Sequence, residues 1–307
     1  MKVLILGAGG IGGYFGARLQ AAGGDVSFLV REARAEQLRA DGLRVSSPLG
    51  DSHFIPRVLT ADTLTGDFDA VLLTCKSYDL DSALAAIASA MGPQTAVVPL
   101  LNGIRHLEVL DARFGRERVL GGLAFISVTL AADGGIQHMG NFHRLMVGAR
   151  QPSPPACLAP LAELLGRTGV EFTLSPSIEQ DMWNKFVFIA SMAGATCAMR
   201  ASLGDILAVA GGEDFIRGLL DECCRVAAAQ GYPIPAGPLE NYRNQLTDRK
   251  SALKASMLRD IERGGAIEHE HIVGDMLRRG QTAGLATPCL GFAYAHLCAY
   301  ERSRSAV

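Results

Sequence analysis

The chain carries no excess of charge of either sign: 29 Lys and Arg oppose 31 Asp and Glu, a net charge of −2 over 307 residues. That balance gives no electrostatic reason to expect a nucleic-acid partner. No uninterrupted apolar stretch is long enough to span a bilayer, so no membrane partner is expected. The opening apolar run, Val3 to Leu6, is too short for a signal peptide, and glycines follow it at once. The seven cysteines form no C-x-x-C pair and no Cys/His metal spacing. Their odd number and scatter fit reduced thiols in a cytosol, which makes the expected location cytoplasmic and gives no reason to expect a metal site. Cys223-Cys224 falls on an expected helix flank, and no role is assigned to it. Repeats and low-complexity segments are missing too. What is there is 49% hydrophobic and 20% charged, a soluble globular composition, at a length that suggests two domains with ample core.

The most informative stretch comes first. Val3-Leu4-Ile5-Leu6 is a short branched apolar run that reads as a buried strand. Gly7-Ala8-Gly9-Gly10-Ile11-Gly12 follows, then residues 14–19 with helical spacing. Strand, G-x-G-x-x-G and helix make a dinucleotide-binding turn. Gly7 permits the tight turn, Gly9 lets the backbone approach a pyrophosphate, and Gly12 lets the helix pack close to the strand. The pyrophosphate would meet free backbone N–H groups at the positive end of the helix dipole. Residues 25–30 read as the second parallel strand, ending in Arg31, with a helix expected from Glu32 to Ala40. An acidic residue at this strand end selects NAD, whereas an arginine accepts the 2′-phosphate of NADP. Arg31 stands at the end itself, with Arg34 near, so NADP is favoured over a plain surface Arg31–Glu32 pair.

Residues 43–58 alternate around Pro48-Leu49-Gly50-Asp51 and read as a hairpin inserted in the series. Residues 69–74 form another buried strand with Lys76 at its carboxyl end, the edge where open parallel sheets bind ligands. Lys76 is therefore a cofactor candidate or a solvated loop lysine. A helix over 79–91 precedes a strand over 95–101, which ends in Asn102-Gly103. That amide can donate to a substrate oxygen, and Asn-Gly is equally a plain turn signal. Residues 123–130 and 137–147 resemble antiparallel strands, a helix ends near Thr168, and a last strand covers 170–174. Ser175-Pro176-Ser177 marks a boundary. From Ile178 onward helical periods dominate, broken at Gly211-Gly212 and at Tyr232-Pro233-Ile234-Pro235. The expected architecture is α/β: a Rossmann-type dinucleotide-binding domain over 1–174, then an all-helical domain over 178–307, with substrate in the cleft between them.

Reduction of a carbonyl needs a donor for the oxygen that becomes negative as hydride adds to carbon. Lys185 stands amid Phe186, Val187, Phe188 and Ile189, either as such a donor or as a snorkelling surface lysine. Ser256 and Glu268 are twelve residues apart, which puts them near one face if the helix between them is continuous, although Gly264-Gly265 intervenes. His269 and His271 lack ligand spacing and read as structural.

With these residues in view, the sequence resembles the ketopantoate reductase (2-dehydropantoate 2-reductase) family nearly end to end. The resemblance rests on the glycine motif with Arg31, on Cys75-Lys76-Ser77, on Leu101-Asn102-Gly103, and on Trp183-Asn184-Lys185-Phe186. Gly204-Asp205-Ile206, and Ser256-Met257-Leu258-Arg259-Asp260 with Glu268 at the family's interval, complete it. It implies NADPH-dependent reduction of a 2-oxo acid to a 2-hydroxy acid, ketopantoate to pantoate foremost, as in pantothenate biosynthesis. Lys185 would be the general acid. Glu268 would bond near the reacting hydroxyl and the nicotinamide ribose and help keep the lysine charged. Asn102 would bridge cofactor and substrate, Ser256 would contact the substrate carboxylate, and Arg31 and Lys76 would hold the 2′-phosphate. A homodimer is compatible with this reading. Three positions depart from the family pattern: where the typical reductase has asparagines, this chain has Ile189, Ala193 and Leu203. Steps of four along a helix share a face, so an expected substrate wall has lost amides. The alternatives that follow are a different 2-oxo acid, a less polar ketone, or an NADPH-sensing protein without turnover.

Overall fold

Val3, Leu4, Ile5 and Leu6 are all buried, and they form the centre of a parallel sheet in the computed structural model, which describes residues 1–305. That strand, β1 (Lys2–Leu6), is followed by helix α1 (Gly10–Ala21), strand β2 (Asp25–Leu29) and helix α2 (Glu32–Asp41). A hairpin of β3 (Leu43–Ser46) and β4 (Ser52–Phe54) comes next, then β5 (Arg57–Leu59), β6 (Ala70–Leu73), α3 (Leu80–Ile87) and β7 (Ala96–Pro99). The order β5-β2-β1-β6-β7 is parallel throughout. Strands buried on both faces have no polar alternation to show, which is why β1, β6 and β7 read as plain apolar runs. The hairpin expected over 43–58 is divided: β3 and β4 pair antiparallel, whereas β5 leaves them and extends the parallel sheet beside β2.

After α4 (Arg105–Phe114), the long strands β8 (Gly121–Leu130) and β9 (Ile136–Gly148) pair antiparallel. Helix α5 (Leu158–Gly166) and strand β10 (Glu171–Leu174) follow, and β10 joins β9 in parallel. The second sheet runs β10-β9-β3-β4 with β8 on β9. Its inner face and α1 close one core around Tyr14, Phe15, Leu43, Ile136 and Leu145.

The rest is helical: α6 (Ile178–Met199), α7 (Leu203–Leu207), α8 (Gly212–Ala229), α9 (Ala236–Leu246), α10 (Ser256–Glu262), α11 (Asp275–Thr282) and α12 (Pro288–Arg304). A single wide π-turn, Glu270–Gly274, leads into α11. The chain packs into two units, residues 1–101 with 106–179, and residues 102–105 with 180–307. In the helical unit, Glu222 of α8 is only 3% exposed and accepts from the backbone N–H groups of Cys289 (2.9 Å) and Leu290 (2.8 Å). A carboxylate from one helix thus caps the N-terminus of another, where orphan donors and the dipole both favour an anion. Cys223 beside it is fully buried in the core rather than on a helix flank.

Candidate active site

The glycine turn has the geometry its composition demands. Gly7 has φ +94°, a left-handed conformation that excludes a branched side chain. A Cβ on Gly12 would collide with the Gly7 carbonyl and the Thr74 hydroxyl, so helix and strand approach as closely as hydrogen allows. Gly9 is the opposite case: no other atom lies within 4 Å of where its Cβ would be. Its backbone therefore fronts open space at the N-terminus of α1. The turn is braced from outside the motif. Thr74 donates to the Leu6 carbonyl at 2.7 Å, and Arg34 Nη2 donates to the Ala8 carbonyl at 2.9 Å. Neither brace is visible in the motif itself, because each comes from a distant strand end or from the next helix. Arg34, expected as a helper for the 2′-phosphate, is committed to this turn and to Gln37. An open backbone cradle with converging N–H groups fits the pyrophosphate of a dinucleotide.

Arg31 lies just past β2, at the N-cap of α2, and its side chain is 80% exposed. Its guanidinium is not free: Nη2 donates to Asp79 Oδ1 at 2.8 Å. Asp79 is a residue that sequence spacing missed, since it lies 48 positions away. Lys76 is half-buried just before the short turn Ser77–Asp79 that leads into α3. One turn of chain thus brings Lys76 and the partner of Arg31 to the carboxyl edge of the sheet.

The other four expected residues all belong to the helical unit, Asn102 included. Lys185 sits in the first half of α6, partly exposed, in surroundings dense enough that desolvation pushes its pKa down to about 8. Buried ammonium groups lose hydration, which favours the neutral amine. Glu268 is 8% exposed, and its carbonyl accepts from the N–H groups of His271 and Ile272, both at 3.1 Å. Ser256 is the exposed first residue of α10. The start of α10 is tied to the lysine helix, since the Ala255 N–H donates to Thr196 Oγ1 at 3.3 Å. A continuous helix from Ser256 to Glu268 does not form. Helix α10 ends at Glu262, and Gly264 at φ +68° turns the chain away, so the two residues reach their places by separate elements.

The three departures from the family pattern separate as well. Lys185, Ile189 and Ala193 share one face of α6 at steps of four. Ile189 is partly exposed and Ala193 is 3% exposed. Leu203 is fully buried at the first position of α7, where its N–H donates to the Leu253 carbonyl at 3.1 Å. Of the three positions, Ile189 is thus the one left partly exposed.

His269, Glu270 and the Cys298 thiol come close enough to suggest a metal site. However, Glu270 already accepts from Arg278 Nη1 at 2.7 Å and from the Tyr294 hydroxyl. A cation there would have to displace the Arg278 guanidinium from the Glu270 carboxylate.

Comparison with known proteins places the chain in a family. The profile of the family described as "Ketopantoate reductase PanE/ApbA" matches residues 3–152, and its C-terminal companion matches residues 177–301. The chain is similar to the "Uncharacterized oxidoreductase YkpB" of Bacillus subtilis, 38% identical, over 99% of this chain and all of that one. Among solved structures it is similar to 2-dehydropantoate 2-reductase from Methylococcus capsulatus. The TM-score is 0.89 at 31% identity, covering 99% of this chain and 98% of that one. It shares its fold with a D-mandelate dehydrogenase solved with NADH and anilino(oxo)acetate, at TM-score 0.89, 22% identity and 99% coverage of both.

Proposed function

The chain belongs to the ketopantoate reductase family, and within it we propose that this protein reduces 2-dehydropantoate (ketopantoate) to pantoate with NADPH, as a step toward pantothenate in the cytoplasm. The chain is an oxidoreductase acting on the CH–OH/C=O pair of a 2-oxo acid with a nicotinamide cofactor. Residues 1–174 are assigned to the cofactor and residues 178–307, joined by Asn102, to the chemistry.

The observation that carries the reading is Lys185, an ammonium held where desolvation brings its pKa to about 8, in the same unit as Asn102, Ser256 and Glu268. A general acid works best when its pKa lies near the working pH. Bound nicotinamide supplies the hydride. Lys185 Nζ meets the charge that develops on the keto oxygen and then gives it a proton. Glu268 accepts from the new hydroxyl and from the nicotinamide ribose. Asn102 donates to cofactor and substrate, and Ser256 receives the carboxylate at the first turn of α10. The backbone from Gly7 through Ala8, Gly9, Gly10 and Ile11 to Gly12 holds the pyrophosphate. Arg31 and Lys76 hold the 2′-phosphate, with Asp79 orienting Arg31.

NADPH oxidation across a panel of 2-oxo acids, ketopantoate included, tests this. NADPH that binds but is oxidised with no 2-oxo acid would refute it. A second reading, a 2-oxo acid less polar than ketopantoate, is favoured by Ile189 and Ala193 on the lysine's own face. Under the first reading Ile189→Asn leaves ketopantoate turnover flat or lower. Under the second it raises kcat/KM for ketopantoate by about 2- to 10-fold, the worth of one hydrogen bond of 0.5–1.5 kcal/mol.

A further inference from the structure

Two segments far apart in the chain meet at Gly103. The turn Asn102–Arg105 belongs to the helical unit, whereas the strand that precedes it belongs to the other. Gly103 has φ +78°, and a Cβ there would lie 2.8 Å from the carbonyl oxygen of His271 and 3.0 Å from its ring Cδ2. The backbone of the turn is therefore pressed onto His271. His271 is 6% exposed, a buried imidazole that the chemistry above does not use. It sits in the π-turn Glu270–Gly274, and its N–H donates to the carbonyl of Glu268. Such wide turns interrupt helices frequently at functional sites, because they re-aim the residues beside them. One residue thus touches the turn that presents Asn102 and is bonded to Glu268.

Resting on the roles given above to Asn102 and Glu268, we propose that His271 is a positioning residue whose ring seats the Asn102–Gly103 turn against the segment that carries Glu268. It does not touch the reacting atoms. It fixes the spacing of two groups that do. The ring's contact with Gly103 is one of shape, since a glycine offers it no side chain. Glu268 and Asp275 face the imidazole and favour its protonation, Arg105 and Arg278 oppose it, and burial is the largest influence and keeps the ring neutral. The fit also accounts for glycine at 103, since any side chain there would push the turn off its support.

A double-mutant cycle on the full chain separates this seating role from a general loss of packing. The rate read is kcat/KM with NADPH and the most reactive 2-oxo acid of the panel. His271→Ala is expected to lower kcat/KM at least ten-fold in the native background and less than three-fold in an Asn102→Ala background. His271→Phe, which keeps a ring against Gly103, is expected to stay within three-fold of the native enzyme. Equal losses in the two backgrounds, or a His271→Phe variant as poor as His271→Ala, would overturn the proposal. Where His271→Ala fails to fold by circular dichroism, Gly103→Ala enters the same cycle from the opposite side of the contact. A Lys185→Ala variant run in parallel isolates the parent reading: retained turnover there defeats the assigned chemistry, whereas an additive cycle defeats only the seat.

Discussion

In the role proposed for it, Lys185 trades stability for chemistry. The neighbours Phe186, Val187 and Phe188 are the residues that made it look like a snorkelling lysine, and desolvation lowers its pKa to about 8. Reduction needs the ammonium, so kcat should fall as pH rises through about 8, while oxidation of the 2-hydroxy acid, which needs the neutral amine, should rise. Lys185→Met should lower kcat by about 10²–10⁴-fold and leave the NADPH dissociation constant within a few-fold. The same substitution should stabilise the fold at pH 7. With a native pKa of about 8 below an unfolded value near 10.5, the unfolded chain binds the extra proton between those pH values, so native stability climbs across that window. Below it the native state bears the whole penalty, and Lys185→Met should remove on the order of 1–3 kcal/mol of it, seen as a higher Tm at pH 7 and a smaller gain at pH 10. A type and a flank were legible here. The desolvation was not, because how closely an apolar neighbourhood surrounds a partly exposed lysine is decided by helices remote in the chain.

At the scale of elements, the strand–turn–helix at the start was readable because every constraint in it is local. Two glycines of that turn should nevertheless behave differently. Gly9→Ala has room for its Cβ within the protein, so Tm should hold while NADPH affinity, measured by fluorescence titration, falls sharply. Gly12→Ala forces α1 off β1, so stability and binding should fall together. The break between α10 and the π-turn was also foreshadowed, at Gly264-Gly265, yet distance along an uninterrupted helix was the only ruler available to the sequence. The capping of α12 by Glu222 left no local trace, since donor and acceptor lie 67 positions apart. Glu222→Ala should leave two N–H groups, the Leu290 one buried, without their anion and cost about 1.5–3 kcal/mol, read by urea unfolding. Arg31 and Asp79 are a similar case: the arginine was expected, its partner was not.

Over the whole molecule, the order of α/β then all-helical segments came from a change of period, from strand runs spaced by helices to helical repeats alone, and the family profiles match both parts. Binding to the native state alone stabilises it in proportion to ligand excess. NADPH at about 100 times its dissociation constant should therefore add about 2.7 kcal/mol, visible as a raised Tm in thermal-shift measurements. NADH at equal concentration should add less, and Arg31→Asp should reverse that order. Equal shifts for the two cofactors in the native protein would remove the assignment of Arg31 and Lys76 to the 2′-phosphate.

The four residues from Asn102 to Arg105 pack with a body whose other members begin at Gln180. Inheritance of the helical unit is thereby entangled with that of its neighbour. A chimera that grafts the helical portion onto a foreign nucleotide-binding module inherits everything except one small patch encoded in the discarded gene segment. The crossover that keeps this unit whole is consequently not a single cut near position 178 but a cut plus a transplanted tetrapeptide.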